Sequence, residues 1–254
     1  MREPVASRAL PGVLVGLYVA PLAILVVRAL ADAWRAPAVW PQELGSRGIA
    51  QLTTPAMVAA VTNSLLVAAT TTILAVGLGW GTARVLAGRD RAQRRLLYLL
   101  VALPLLVPPY AVGTGLGSWF VRWGLVDSHL ALVLAHLVYV LPYVVLLLSA
   151  GFGRHIDRLE EAATVLGADG LARVRLVTIP SVAPALAVAG LLGFTVSWSQ
   201  YGTSLAVAGG VPMLPLVLLP FASQDLQVAS AVSLLFLGPL LVVLALALWV
   251  GQRR

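Results

Sequence analysis

Apolar runs long enough to cross a bilayer recur along the whole chain, at Leu10–Val27, Ala56–Ala83, Leu96–Phe120, Leu130–Phe152, Val182–Val207 and Val228–Val250. A helix needs roughly 20 such residues to span the hydrocarbon core. Without water to bond, a backbone in lipid must satisfy its own N–H and C=O groups, so runs of this kind fold as helices. The chain is therefore predicted to be all-α and polytopic, with six transmembrane helices in one transmembrane domain over residues 1–254. Its 60% hydrophobic and 11% charged composition excludes an ordinary soluble domain. The first run is longer than the core of a signal peptide and lacks a small-residue cleavage pattern after it, so it is read as a retained helix.

The arginines set an orientation, because cytoplasmic loops near span ends are enriched in basic residues. Thirteen fall in one set of segments: Arg2, Arg8, Arg84, Arg89, Arg91, Arg94, Arg95, Arg154, Arg158, Arg173, Arg175, Arg253 and Arg254. Only four, Arg28, Arg35, Arg47 and Arg122, fall in the other. Both termini are thus expected in the cytoplasm, which requires an even number of spans and agrees with six. The external connector from Asp32 to Pro55, with Trp34 and Trp40, reads as an amphipathic segment at the lipid surface.

All 17 basic residues are arginine. A chain without lysine cannot carry the phosphate-binding loop G-x-x-x-x-G-K-[ST], whose lysine reaches the terminal phosphates. The absence of cysteine removes thiolate metal sites, iron–sulfur clusters and disulfides. No catalytic or metal-ligating constellation is expected, since no H-E-x-x-H pair occurs and His129, His136 and His155 fall at different depths. The net charge of +7 lies between apolar runs rather than on a polar surface, so nucleic acid is not an expected partner.

Inside the spans, prolines at 104, 108, 109, 142, 184 and 239 point to broken or kinked helices. Gly77 with Gly81, and Gly113 with Gly117, have the spacing of close helix contacts. No span contains an acid, which argues against a proton relay; His136 is the one ionisable exception, either functional or satisfied by a neighbour. Asn63, Ser197, Ser199, Gln200 and Tyr201 are candidate pathway residues, with interhelical bonding as the alternative role. The stretch 209–221 holds three prolines, too many for one regular helix, and is expected to be a loop with a short re-entrant or surface segment.

The segment 153–180 differs from all others: it starts charged and ends in a proline before an apolar run. Ile156, Leu159, Ala163 and Leu166 have helical spacing, and Asp157, Glu160 and Glu161 lie toward the helix N-terminus where the dipole favours acids. Gly167 suits a helix end, and Asp169 suits the cap of a second helix running through Leu171 and Val174 toward Pro180. Two short helices around a glycine turn form either a docking knob or an amphipathic connection on the inner leaflet.

Glu161-Ala162-Ala163, three residues, Gly167, nine residues and Val177-Thr178-Ile179-Pro180 resemble the EAA loop of the permease subunits of binding-protein-dependent ABC importers, the MetI-like family. The N-S-L at Asn63, the L-P-L-x-V-P-P at 103–109 and the S-W-S-Q-Y-G-T from Ser197 are similar to the branch containing polyamine, ferric iron, thiamine, sulfate and molybdate permeases.

That resemblance implies an inner-membrane permease, not itself an enzyme, whose loop between helices 4 and 5 docks on a separate ATPase subunit. It places Glu160, Glu161, Ala162, Ala163, Gly167, Asp169 and Pro180 in the docking loop: the alanines allow close approach, Glu161 pairs with a base on the partner, and Gly167 sets the angle. ATP and Mg belong to the ATPase pair, with no cofactor on this chain. The other implied partners are a second permease subunit, identical or related, an extracytoplasmic solute-binding protein and membrane lipid. The competing readings are a stand-alone secondary transporter or channel, a scaffold and, last, an integral-membrane enzyme.

Overall fold

The computed structural model describes residues 5–251. Arg2, Arg253 and Arg254, used in the orientation count, lie outside the described residues. The elements run α1 (Val5–Ala29), β1 (Ala31–Ala33), β2 (Glu43–Leu44), α2 (Arg47–Ala50), α3 (Pro55–Ala87), α4 (Arg91–Ala102), α5 (Pro109–Arg122), α6 (His129–Gly151), α7 (Arg154–Val165), α8 (Gly170–Arg173), α9 (Ile179–Trp198), α10 (Gly202–Val207), α11 (Leu214–Gln224) and α12 (Leu226–Gly251). Four helical runs among the described residues are long and apolar enough to cross a membrane: Gly12–Ala29, Pro55–Ala87, His129–Gly151 and Gly170–Trp198. A fifth is made if the bent pair Arg91–Leu106 and Pro109–Arg122 counts as one.

Several expected elements differ in detail. The third run is not one helix: Pro108 and Pro109 interrupt the ladder, and the two halves meet at 86°. The fifth ends at Trp198, so the polar stretch 199–201 separates α9 from the short α10. The 209–221 stretch becomes a turn followed by α11, with Pro215 near its start and Pro220 inside it. At the Asp32–Pro55 connector, β1 and β2 pair as a short antiparallel hairpin, followed by α2 and a 3-10 turn. Polar side chains of the connector take up its own backbone: Gln42 and Arg35 bond each other twice at 3.1 Å, and Trp34 Nε1 donates to Ala38 O at 3.0 Å.

The chain divides into two compact units, one holding the residues through Ala60 and from Leu216 onward, the other Val61–Pro215. In the first, α1 and α2 both pack on α12. In the second, α6 packs on α9 and α5 on α10. Its core contains Ala75, Ala83, Val140, Val144, Leu148, Phe152, Ile156 and Val182, and Trp80 meets Phe152 edge-on with ring centroids 5.1 Å apart. Of the expected glycine contacts, Gly113 does approach α10, where a Cβ would lie 2.7 Å from Ala206 Cβ. On α3 the contact glycine is Gly79, against Val144 and Val145, whereas Gly77 and Gly81 have no such neighbour.

In the first unit Asp225 organises the start of α12. Its Oδ1 accepts from the N–H groups of Gln227 at 3.1 Å and Val228 at 3.2 Å, and its carboxylate pairs with Arg47 of α2. An aspartate at this position satisfies donors that the first helical turn leaves open. Asp225→Ala is expected to lower stability by about 1 kcal/mol or somewhat more, whereas Asp225→Asn keeps the cap and loses only the partly exposed ion pair. Thermal unfolding of the detergent-solubilised variants measures the difference; equal midpoints for the two would remove the capping role.

Candidate functional site

The segment 153–180 folds as its residues dictate. Helix α7 ends in a closed motif: Ala168 N–H donates to Ala163 O at 2.9 Å and Gly167 N–H to Thr164 O at 3.0 Å. The turn requires Gly167 at φ +85°, a conformation that side chains with a Cβ resist. Asp169 then accepts from Ala172 N–H at 2.7 Å and caps the next helix. This second helix is not a separate short piece. Gly170–Arg173 continues through a π-helical turn, Val174–Thr178, directly into α9, so Pro180 sits inside a continuous helical run, just after the π-helical turn, rather than at a stop.

The segment has two chemically different faces. Ile156 and Glu160 are buried, while Glu161 and Ala162 are exposed and Ala163 is half-buried. Leu166, grouped by spacing with Ile156, is instead 87% exposed, because α7 terminates there. Val165 (87%) and Leu171 (78%), on either side of the glycine turn in sequence, are exposed as well, as are Glu161 and Asp169. Val165 and Leu171 escaped sequence selection; their position beside a helix-ending glycine is the signal that could have singled them out.

Glu160, expected to face a partner with Glu161, turns inward. Its Oε2 pairs with Arg84 near the end of α3, and its Oε1 accepts from Thr178 Oγ1 at 2.5 Å. Thr164 Oγ1 donates to the Glu160 carbonyl at 2.8 Å and accepts from Arg173 at 3.0 Å. Burial alone would push the Glu160 carboxyl up, but the bonds from Arg84 and Thr178 and the charges of Arg84 and Arg173 outweigh it and hold it below its ordinary value.

The candidate pathway residues divide as well. Asn63 has both ends of its amide occupied: Nδ2 donates to Pro212 O at 3.0 Å and Oδ1 lies 3.0 Å from His129 Nε2. Its neighbour Ser64 accepts from Leu214 N–H at 2.8 Å. Ser197 is buried with its Oγ 2.8 Å from His136 Nδ1, and His136 Nε2 lies 2.9 Å from Ser204 Oγ. Ser204 gives its proton to Gln200 O at 2.5 Å. The roles close with the ring proton on Nε2 and Nδ1 accepting from Ser197. Ser199 is exposed and bonds only its own helix, donating to Thr195 O at 2.8 Å. Tyr201 is half-buried, and Gln200 has a buried Nε2 without a hydrogen-bond partner. Among the described residues, no group of three His, Cys, Asp or Glu side chains is placed to hold a metal ion.

The profile of the family described as "Binding-protein-dependent transport system inner membrane component" matches residues 75–254. The molybdenum transport system permease protein of Mycobacterium tuberculosis is 35% identical over 231 residues, covering 84% of each chain. The putrescine transport system permease protein of Escherichia coli is 33% identical over 196 residues, covering 72% of this chain and 68% of that one. The fold is similar to a chain in the crystal structure of a bacterial ABC transporter involved in alginate import, with a TM-score of 0.70 over 96% of this chain and 94% of that one at 17% identity.

Two outcomes follow from this geometry. His136→Leu deprives Ser197 of its partner in a buried place and should cost about 1–3 kcal/mol of stability, while Ser199→Ala should stay within about 0.5 kcal/mol of the parent. Thermal unfolding in detergent separates them. Because the Glu160 pKa is lower in the folded chain than in the unfolded one, its contribution is complete above the ordinary glutamate range and disappears as pH falls through the lowered value. Protection of the 153–180 segment from proteolysis should therefore be unchanged between about pH 7 and pH 5.5, above that range, and fall only in stronger acid. Loss of protection already at the upper end would contradict the assignment.

Proposed function

The chain belongs to the family of inner-membrane components of binding-protein-dependent transport systems, and from that premise we propose that it is the permease subunit of an ATP-driven ABC importer. It forms half of the solute pathway, with six spans and both termini in the cytoplasm, as one permease domain. A second permease subunit, identical or related, supplies the other half. A separate pair of ATPase subunits binds ATP and Mg, and an extracytoplasmic binding protein delivers the solute.

The observation that carries this reading is the exposure of Val165, Leu166 and Leu171 on either side of a turn fixed by Gly167 and Asp169. An exposed apolar surface on a rigid projection fits a groove on another protein. Glu161, exposed on α7, is placed to pair with a base on that partner. The four arginines at 154, 158, 173 and 175 support a cytoplasmic placement of this segment, on the side where ATP is. A chain with no lysine has no phosphate-binding loop of its own, so it takes its stroke from the partner.

Polar groups in the spans support a path for solute rather than a proton relay. The nine acidic residues among the described ones all lie outside the membrane-length helices, which disfavours a stand-alone proton-driven transporter. Gln200, with its unpartnered buried amide at the break between α9 and α10, is the strongest pathway candidate, with Ser199 and Tyr201 beside it. Asn63 and Ser197 act as bonds between elements.

Replacing Leu166 and Leu171 together by aspartate should abolish co-purification of the ATPase subunits, while the chain still inserts and the binding protein still retains its solute. Normal ATPase recovery with normal uptake would overturn the docking role. The ligand that co-purifies with the binding protein identifies the solute.

A further inference from the structure

We propose that the cluster of buried Glu160 and Thr178 with the half-buried Arg84 is the link through which movement of the 153–180 segment reaches the membrane helices, with Glu160 and Arg84 as its positioning residues. This rests on the importer reading above and adds to it the route by which the docked segment pulls.

The cluster joins separate elements at one carboxylate. Glu160 belongs to α7, Arg84 to the last turns of α3, and Thr178 to the π-helical turn that leads into α9. Each carboxylate oxygen has its own partner, Oε2 the Arg84 guanidinium and Oε1 the Thr178 hydroxyl. Arg173 of α8 reaches the same turn of α7 through Thr164. Glu160 is only 7% exposed, and one helical turn away Ile156 is buried in the apolar core with Phe152, Ala83 and Val182. The outward face of α7 is free for a partner while its inward face is bonded to two long helices.

Stability alone does not account for such a group. A carboxylate taken out of water repays its desolvation poorly, the more so beside a half-exposed guanidinium, and well-packed apolar residues in its place are often neutral or stabilising. What a two-partner carboxylate provides is direction and register: apolar surfaces slide over one another, whereas hydrogen bonds at both oxygens fix the relative positions of the elements that supply them. A displacement of α7 is thereby delivered to α3 through Arg84 and to α9 through Thr178. The π-helical turn places Thr178 where the regular ladder is already altered, so that turn can adjust without breaking a run of regular bonds.

The test uses the assembled complex of permease, ATPase and binding protein in proteoliposomes. Glu160→Gln and Arg84→Gln are each expected to retain the ATPase subunits and ATP hydrolysis but to lower solute imported per ATP hydrolysed roughly tenfold. The reversed pair, Arg84→Glu with Glu160→Arg, should recover a large part of that loss. Thr178→Val, similar in shape and leaving the ion pair intact, keeps the proposal testable where a charge variant accumulates poorly. It should lower the same ratio several-fold, and Thr178→Ser should restore it. An unchanged ratio in both Glu160→Gln and Thr178→Val overturns the proposal, as does release of the ATPase subunits by Glu160→Gln. Failure of any ATPase to accompany the parent chain would instead overturn the importer reading itself.

Discussion

A helix in a bilayer can be interrupted only where something other than water takes the backbone groups that the break sets free. The breaks described here meet that condition with side chains. Where Pro108 ends the first half of the third run, Tyr139 Oη donates to Val107 O at 2.6 Å. Between α9 and α10, Ser204 donates to Gln200 O. Ahead of α11, Asn63 donates to Pro212 O and Ser64 accepts from Leu214 N–H. Several polar side chains that bond from one element to another therefore sit where the chain departs from a helix, whereas others, such as Thr72 and Thr82, bond back to their own helix. His136 fits the same pattern from one step away, because it holds Ser197 and Ser204 on either side of the α9–α10 break.

This explains both what the sequence made legible and what it did not. The apolar runs announced the helices, and Gly167 and Asp169 announced the turn and cap between α7 and α8, since those features depend on a few neighbouring residues. Asn63 and Ser197 were recognisable as unusual but not as bonds to a break, because their partners lie about 149 and 61 residues away in the chain. The prolines at 108 and 109 signalled an interruption; its 86° angle depends on tertiary packing. The choice of Gly79 over Gly77 and Gly81 depends likewise on where α6 lies.

The adjacent pair Glu160 and Glu161 shows the limit most clearly. Neighbouring helical residues point about 100° apart, so both cannot face the same surface. Composition treats them alike, and the EAA pattern, which begins at Glu161, leaves the direction of Glu160 open. Only the placement of Arg84, 76 residues earlier, assigns the inward direction to Glu160 and leaves Glu161 outward. The same geometry sends Leu166 to the surface, because the helical spacing that relates it to Ile156 ceases to matter once the chain turns at Gly167.

Taken together, the side-chain bonds at the breaks and the bonded carboxylate of α7 divide the second unit into stretches of intact helix joined at places where the ladder is already open. Bending an intact helix strains many backbone bonds at once, whereas a rotation at an existing break strains only the few that close it. On the proposed route, a push arriving at Glu160 meets stiff segments, α3 and α9, and α9 ends at the break held by His136, Ser197 and Ser204. Gln200, whose buried amide nitrogen has no partner, lies in that break. The place where the ladder is already open is thus also the place where a buried donor is left without a partner.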